Sequence, residues 1–250
     1  MDDDRTVRIA ADPEELHRAA ADEFSRLADA AIGERGLFSV VLAGGSTPLG
    51  LYSLLANDPR YRDRVAWEKT HFFFSDERHV PPDHPLSNFR NANAALLSKI
   101  PAPPGNVHRF ATELDLAAAA DRQERSLREF FILDPAEFPR FDLVFLGMGK
   151  DGHTASLFPG TAALGETARL AVPVTGTGIH PARITHTLAV FNHAAAVVFL
   201  VSGSSKAGAL RAVLEEASGS DPLPARMVKP TRGTLLWLVD REAARDLRNH

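Results

Sequence analysis

Four short polar clusters, each placed after an apolar run, hold most of the chemistry this sequence can offer. Gly147-Met148-Gly149-Lys150-Asp151-Gly152-His153 follows the apolar stretch Phe141 to Leu146. So many glycines imply a tight turn with exposed backbone, which leaves His153 at a sheet edge beside Asp151. Imidazole, with an ordinary pKa of about 6.5, can take a proton from water near neutral pH, and a carboxylate can orient the ring or stabilise its charged form. A histidine that merely caps the following turn is the competing use of the same residues. Gly44-Gly45-Ser46-Thr47-Pro48 follows Phe38 to Ala43, and a glycine turn that opens a helix suits a phosphate, although ordinary strand-to-helix turns share this composition. Ser75-Asp76-Glu77-Arg78-His79-Val80-Pro81 follows His71 to Phe74. It sets Asp76 and Arg78 at a strand's carboxyl end, where open α/β sheets bind ligands, or else forms a solvated charged loop. Finally, Ser202-Gly203-Ser204-Ser205-Lys206 places an ammonium group on the first turn of a helix. There it opposes the helix dipole unless an anion lies between them. Arg183 is a weaker cationic candidate by the same logic.

Other chemistries lose support. The Gly44 turn lacks the third glycine of a dinucleotide fingerprint, and no Gly-Lys-Ser/Thr is present. With no cysteine there is no disulfide or thiol catalysis. Ten histidines contain no His-x-x-x-His and no zincin-like set, so no metal and no organic cofactor are expected. His71, His79, His84, His180, His186 and His193 read as loop or strand residues. A formal net charge of −4 over 250 residues exerts no general pull on nucleic acid or anionic membrane. The acidic start Met1-Asp2-Asp3-Asp4 does not resemble a secretory signal. The apolar run from Ala194 to Val201 is less than half of the roughly 20 residues a spanning helix needs. The expectation is a cytoplasmic protein with a small-molecule partner and no nucleic-acid or membrane partner; a monomer is favoured, although nothing in the sequence fixes the oligomeric state.

The elements that must position these clusters alternate. Asp12-Pro13-Glu14-Glu15 is an N-cap, a proline at the first helical position and an acidic first turn, opening a helix to about Gly33. Strands are expected at 38–43, 71–74, 141–146, 170–174, 187–191, 196–201 and 234–239. Helices are expected from Thr47-Pro48 to Leu55, and at 87–100, 114–131, 204–217 and 241–247, with Ser87 as a cap. Such alternation predicts an α/β fold: a Rossmann-like twisted, mainly parallel sheet with helices on both faces, in a single domain over 1–250.

These blocks together resemble the 6-phosphogluconolactonase family, within the wider group that includes glucosamine-6-phosphate deaminase. The carriers are Ala43 to Pro48, Ser75 to Pro81, Ser87-Asn88, Gly147 through Pro159, Arg183-Ile184-Thr185, and Gly203 with Lys206. The string from Asp151 to Pro159 is the most specific. The resemblance implies cofactor-free hydrolysis of 6-phospho-D-glucono-1,5-lactone to 6-phospho-D-gluconate, in the oxidative pentose phosphate pathway. It further implies that Gly44, Gly45, Ser46, Thr47, Arg183 and Lys206 hold the substrate phosphate. His153 would activate water, with Asp76, Arg78 and Asp151 nearby. The oxyanion formed at the carbonyl needs fixed donors, and either Arg78 or backbone N–H groups of the Gly147–Gly152 turn would serve. The deaminase branch resembles these motifs but carries an acidic residue before the proline, where Phe158 stands here, and an aromatic residue in place of Arg78. A non-catalytic sugar-phosphate-binding protein is a third alternative. One departure from the family pattern is local: Ile179-His180-Pro181-Ala182 lacks the lysine and second proline expected before Arg183.

Overall fold

The computed structural model describes residues 5–176, 181–215 and 223–248. The chain opens with β1 (Arg5–Ala10) and α1 (Pro13–Arg35). Asp12 caps α1 by accepting from the Glu15 N–H, and Gly36 ends it in the left-handed region at φ 78°. β2 (Phe38–Leu42) is wholly buried, as a strand covered on both faces must be. α2 (Thr47–Asn57), β3 (Thr70–Phe74), β4 (Asp76–Arg78), α3 (Asn88–Ala95) and α4 (Leu116–Phe131) follow. The second half comprises β5 (Leu143–Leu146), β6 (Ala171–Val174), β7 (Arg183–His186), α5 (Leu188–Asn192), β8 (Ala196–Val201), α6 (Ala207–Glu215), β9 (Thr234–Asp240) and α7 (Arg241–Ala244).

Six strands form one sheet in the order β1-β9-β8-β5-β2-β3, and every pairing in it is parallel. Alternate residues face opposite ways. Phe24, Phe38, Trp67, Phe72 and Phe145 fill one face, and Phe73, Phe141, Leu146, Phe199 and Trp237 fill the other. The sheet is therefore buried on both sides by helices, as the sequence led us to expect. From β2 the chain moves outward to β3, then returns across β2 to place β5 on its other side. The order reverses between β2 and β5, and a crevice opens beyond their carboxyl ends.

The structure corrects several expectations. The strand expected at 187–191 is instead β7 at Arg183–His186, followed by the short helix α5. Here the antiparallel partners β4 and β6 select the strand register, while backbone bonds such as Phe191 N–H to Thr187 O close a local turn. β4, β7 and β6 form a separate three-stranded antiparallel sheet, so Asp76 and Arg78 lie on a strand and not in a loop. β1 was not foreseen. α2 begins at Thr47, with Ser46 at the cap position and no side-chain capping bond. α3 is shorter than 87–100, with a separate 3₁₀ turn at Leu97–Lys99. α4 starts at Leu116, capped by Asp115. The helix expected from Ser204 opens as a 3₁₀ turn before α6, its last residues 216–217 lie outside the described residues, and α7 stops at Ala244.

Candidate active site

At the switch between β2 and β5 lies a cleft of about 210 Å³. It is lined by Gly44, Gly45, Ser46, Thr47, Asp76, Arg78, His153, Arg183 and Lys206, among others. Of the residues expected to be catalytic or to hold the phosphate, only Asp151 does not line it. Asp151 contacts the cleft through His153: its Oδ1 lies 2.5 Å from His153 Nδ1 and also accepts the His153 backbone N–H at 3.2 Å. Burial pushes the Asp151 carboxyl up, yet the hydrogen bonds from His153 outweigh it and the net direction is down. With Nδ1 engaged, Nε2 is the ring nitrogen left to take a proton. The atypical Ile179-His180 lies outside the described residues.

The turn that carries this pair is held by its backbone. Gly149 N–H donates to His153 O at 2.8 Å, and Thr154 Oγ1 donates to Gly147 O at 2.8 Å. A Cβ on Gly149 would overlap the His153 ring and the Asp151 carboxylate, so this paired geometry is open only to a glycine there. Two residues beyond His153, Ala155 adopts φ 48°, a left-handed conformation that costs a non-glycine residue on the order of 1 kcal/mol and is held here by its neighbours. Ser156 N–H, next along, is bonded to Thr185 Oγ1 at 3.3 Å.

The Gly44 turn is shaped from behind. Tyr52 Oη donates to Ala43 O at 2.8 Å, and His17 Nε2 lies 2.9 Å from Thr47 O. Burial pulls the His17 imidazole below its ordinary value, so the neutral ring, with Nε2–H donating to the carbonyl, fits this contact. No side chain caps α2, Pro48 has no N–H, and the Leu49 N–H donates to Ser46 O at 3.2 Å, so the backbone donors this turn can turn toward an anion are those of Gly44 to Thr47.

Cations face this turn. Arg183 Nη1 stands 3.7 Å from Asp76 Oδ2 and 3.5 Å from Ser156 Oγ, which leaves most of its donors free. Burial lowers the Arg183 pKa, with Asp76 opposing the effect and Arg78 adding to it. The Lys206 ammonium lines the same cleft. Burial draws its pKa below the ordinary lysine value, Lys150 adds to the shift and Asp151 opposes it. Arg78 Nη1 donates to Leu86 O at 2.5 Å, which ties its guanidinium to the loop before α3.

Three carboxylates organise these groups, and sequence reasoning assigned such a role to none of them. Asp76, expected among the catalytic residues beside His153, is 4% exposed and accepts from Ser156 Oγ at 2.5 Å and from Asn88 Nδ2 at 3.1 Å. Glu77, 3% exposed, accepts from the N–H groups of Arg78, Asn88 and Phe89 and from Ser87 Oγ, all at 2.7–2.9 Å. It pins the start of α3 beneath the cleft; burial pushes its carboxyl up against the pull of those four donors. Asp240, at the end of β9, accepts from Ser202 Oγ at 2.5 Å, Gly203 N–H at 3.1 Å and Ala243 N–H at 2.8 Å. It therefore caps α7 and grips the turn that presents Lys206. Asp240-Arg241-Glu242 has the composition of a helix start and was the one available signal.

Fold and site together define a class: a Rossmann-like α/β protein whose switch-point crevice combines a glycine turn at a helix start, several cations and a histidine paired with a carboxylate. The chain belongs to the glucosamine-6-phosphate isomerases/6-phosphogluconolactonase family, whose sequence profile matches residues 11–237. It is 43% identical over 219 residues to the 6-phosphogluconolactonase of Synechocystis sp., covering 87% of this chain and 88% of the relative. Its identity to that of Nostoc sp. is 39% over 244 residues, covering 97% and 98% respectively. The crystal structure of 6-phosphogluconolactonase from Thermotoga maritima superposes with a TM-score of 0.81 at 34% identity, over 95% of this chain and all (100%) of that one.

Proposed function

We propose that this protein hydrolyses 6-phospho-D-glucono-1,5-lactone to 6-phospho-D-gluconate, as a cytoplasmic step of the oxidative pentose phosphate pathway. The observation that carries the reading is the His153–Asp151 pair, which shares one cleft with Arg183, Lys206 and the uncapped start of α2. The phosphate sits on the Gly44–Thr47 turn, between Arg183 and Lys206. His153 Nε2 takes a proton from water as the water oxygen bonds to the lactone carbonyl carbon. The tetrahedral oxyanion is stabilised by Arg78 or by the backbone N–H groups of the Gly147–Gly152 turn. Collapse breaks the bond to the ring oxygen, which leaves with the proton returned by the imidazolium. An ester carbonyl is electrophilic enough for this general-base route, so the reading includes no metal or cofactor.

Phe158 supports hydrolysis over deamination. Its ring lies 4.5 Å from the His153 ring, where the deaminase reading would call for a carboxylate. No described helix is long and apolar enough to cross a membrane. A pH-stat assay on freshly prepared lactone tests the proposal: the purified protein should raise the rate well above spontaneous hydrolysis and release no ammonia from glucosamine 6-phosphate. A rate equal to the spontaneous one would end it.

A further inference from the structure

Phe158 does more than stand where a charge is missing. Its ring is tilted 40° to the His153 ring at a centroid distance of 4.5 Å, and the Arg183 guanidinium carbon stands 5.6 Å from the same Phe158 centroid. One aromatic side chain thus touches both the group assigned to activate water and a cation assigned to the phosphate. Phe158 does not line the cleft, so it acts through these two neighbours.

The other tethers of both groups leave a freedom that the ring removes. Asp151 fixes the His153 imidazole at one edge, through Nδ1, and an edge contact leaves the ring plane free to tip. Arg183 is held at Nη1 by contacts of 3.5 and 3.7 Å, too long to fix the guanidinium plane. A flat π face against each group supplies that constraint, with cation–π attraction holding the guanidinium. We infer that Phe158 is a positioning residue that sets the spacing and tilt between His153 and Arg183, and so fits the cleft to a lactone whose phosphate lies at the far end of the sugar from the carbonyl. The inference rests on the lactonase reading.

Phe158→Met keeps most of the volume and removes the π face, and Phe158→Tyr keeps the face. For the phosphorylated lactone, Phe158→Met is expected to raise KM and to lower kcat/KM on the order of 30-fold, while Phe158→Tyr stays within about threefold of wild type. With unphosphorylated glucono-1,5-lactone only the kcat part of the loss should remain, because Arg183 has nothing to hold. In the Arg183→Ala background, Phe158→Met should add no further rise in KM. A folded Phe158→Met protein with wild-type constants would overturn the inference, as would equal losses on both lactones or additive rises in KM with Arg183→Ala. Calorimetric titration with 6-phosphogluconate reads the Arg183 side without turnover. If wild-type protein binds this ligand yet hydrolyses nothing, the lactonase reading fails, while weaker binding by Phe158→Met still supports the role of Phe158 at Arg183. Equal binding by the two proteins removes that role as well, and absence of binding by wild type ends both.

Discussion

His153 Nδ1 and Asp151 Oδ1 lie 2.5 Å apart across a single intervening glycine, so one turn fixes both the tautomer of the ring and the direction of its free nitrogen. Removing the ring removes the proposed base: His153→Ala is expected to lower the catalysed rate on the order of 10²-fold or more. Asp151→Asn keeps the shape but lets the amide face Nδ1 with its N–H, which favours the opposite tautomer. Its kcat should fall on the order of 10-fold or more with KM little changed. Steady-state kinetics on both variants check this, and an Asp151→Asn enzyme with full kcat would remove the carboxylate from the mechanism.

Gly149 makes a second, purely steric test possible. An added methyl group would overlap the His153 ring and the Asp151 carboxylate, and the Asp151 side chain is 54% exposed, so both groups can swing outward without disturbing the core. Gly149→Ala should therefore keep nearly wild-type resistance to urea while kcat falls on the order of 10²-fold. A parallel loss of stability and activity would show that the turn, and not the pair, is what the methyl group breaks.

The sequence exposes the polar clusters because each follows an apolar run, and a strand end in a parallel sheet is where function sits. It exposes the start of α1 because Asp12-Pro13 is a local signal, whereas the end expected near Gly33 falls at Arg35, before the left-handed Gly36. Tertiary pairing hid the rest. Asp76-Glu77-Arg78 has poor strand propensity, and it is a strand only because β7 lies alongside it. β1 is an edge strand of which only Ala10 is buried, so its alternation is faint. Besides the adjacent Arg78 N–H, Glu77 finds its partners 10 to 12 residues away, and Asp240 grips a turn 37 residues before it; no local pattern records those distant bonds.

Lys206 sets a pH dependence whose sign can be worked out. Its folded-state pKa lies below the ordinary 10.5, chiefly through burial, so the ammonium is lost before an exposed lysine would lose its own. Phosphate affinity should weaken as pH rises through that lowered value, whereas the guanidinium introduced by Lys206→Arg stays charged throughout. Stability of the ligand-free protein should move the other way. A lowered cation pKa costs stability while the group is charged, and the cost is relieved as pH rises through the folded value. Calorimetry with 6-phosphogluconate at a series of alkaline pH values should show a decline for wild type and a flatter profile for Lys206→Arg. Parallel profiles would take Lys206 out of the phosphate site.

Asp240 allows a structural role to be separated from a functional one. A buried carboxylate behind the proposed phosphate site works against binding of a dianion by charge alone, so on that proposal its value lies in holding the Gly203 turn and, through it, Lys206. Asp240→Asn retains one acceptor oxygen but must aim its amide N–H at either Ser202 Oγ or the Gly203 N–H, both now donors to the carboxylate. Stability should fall by about 1–2 kcal/mol. If Lys206 is displaced as a result, KM for the phosphorylated lactone should rise about fivefold with kcat within about twofold, since His153 is held independently of this turn. Urea denaturation and steady-state kinetics on the same preparation read the two effects. A loss of stability with unchanged KM would confine Asp240 to capping α7, and a rise in KM accompanied by an equal fall in kcat would show that the displacement reaches His153.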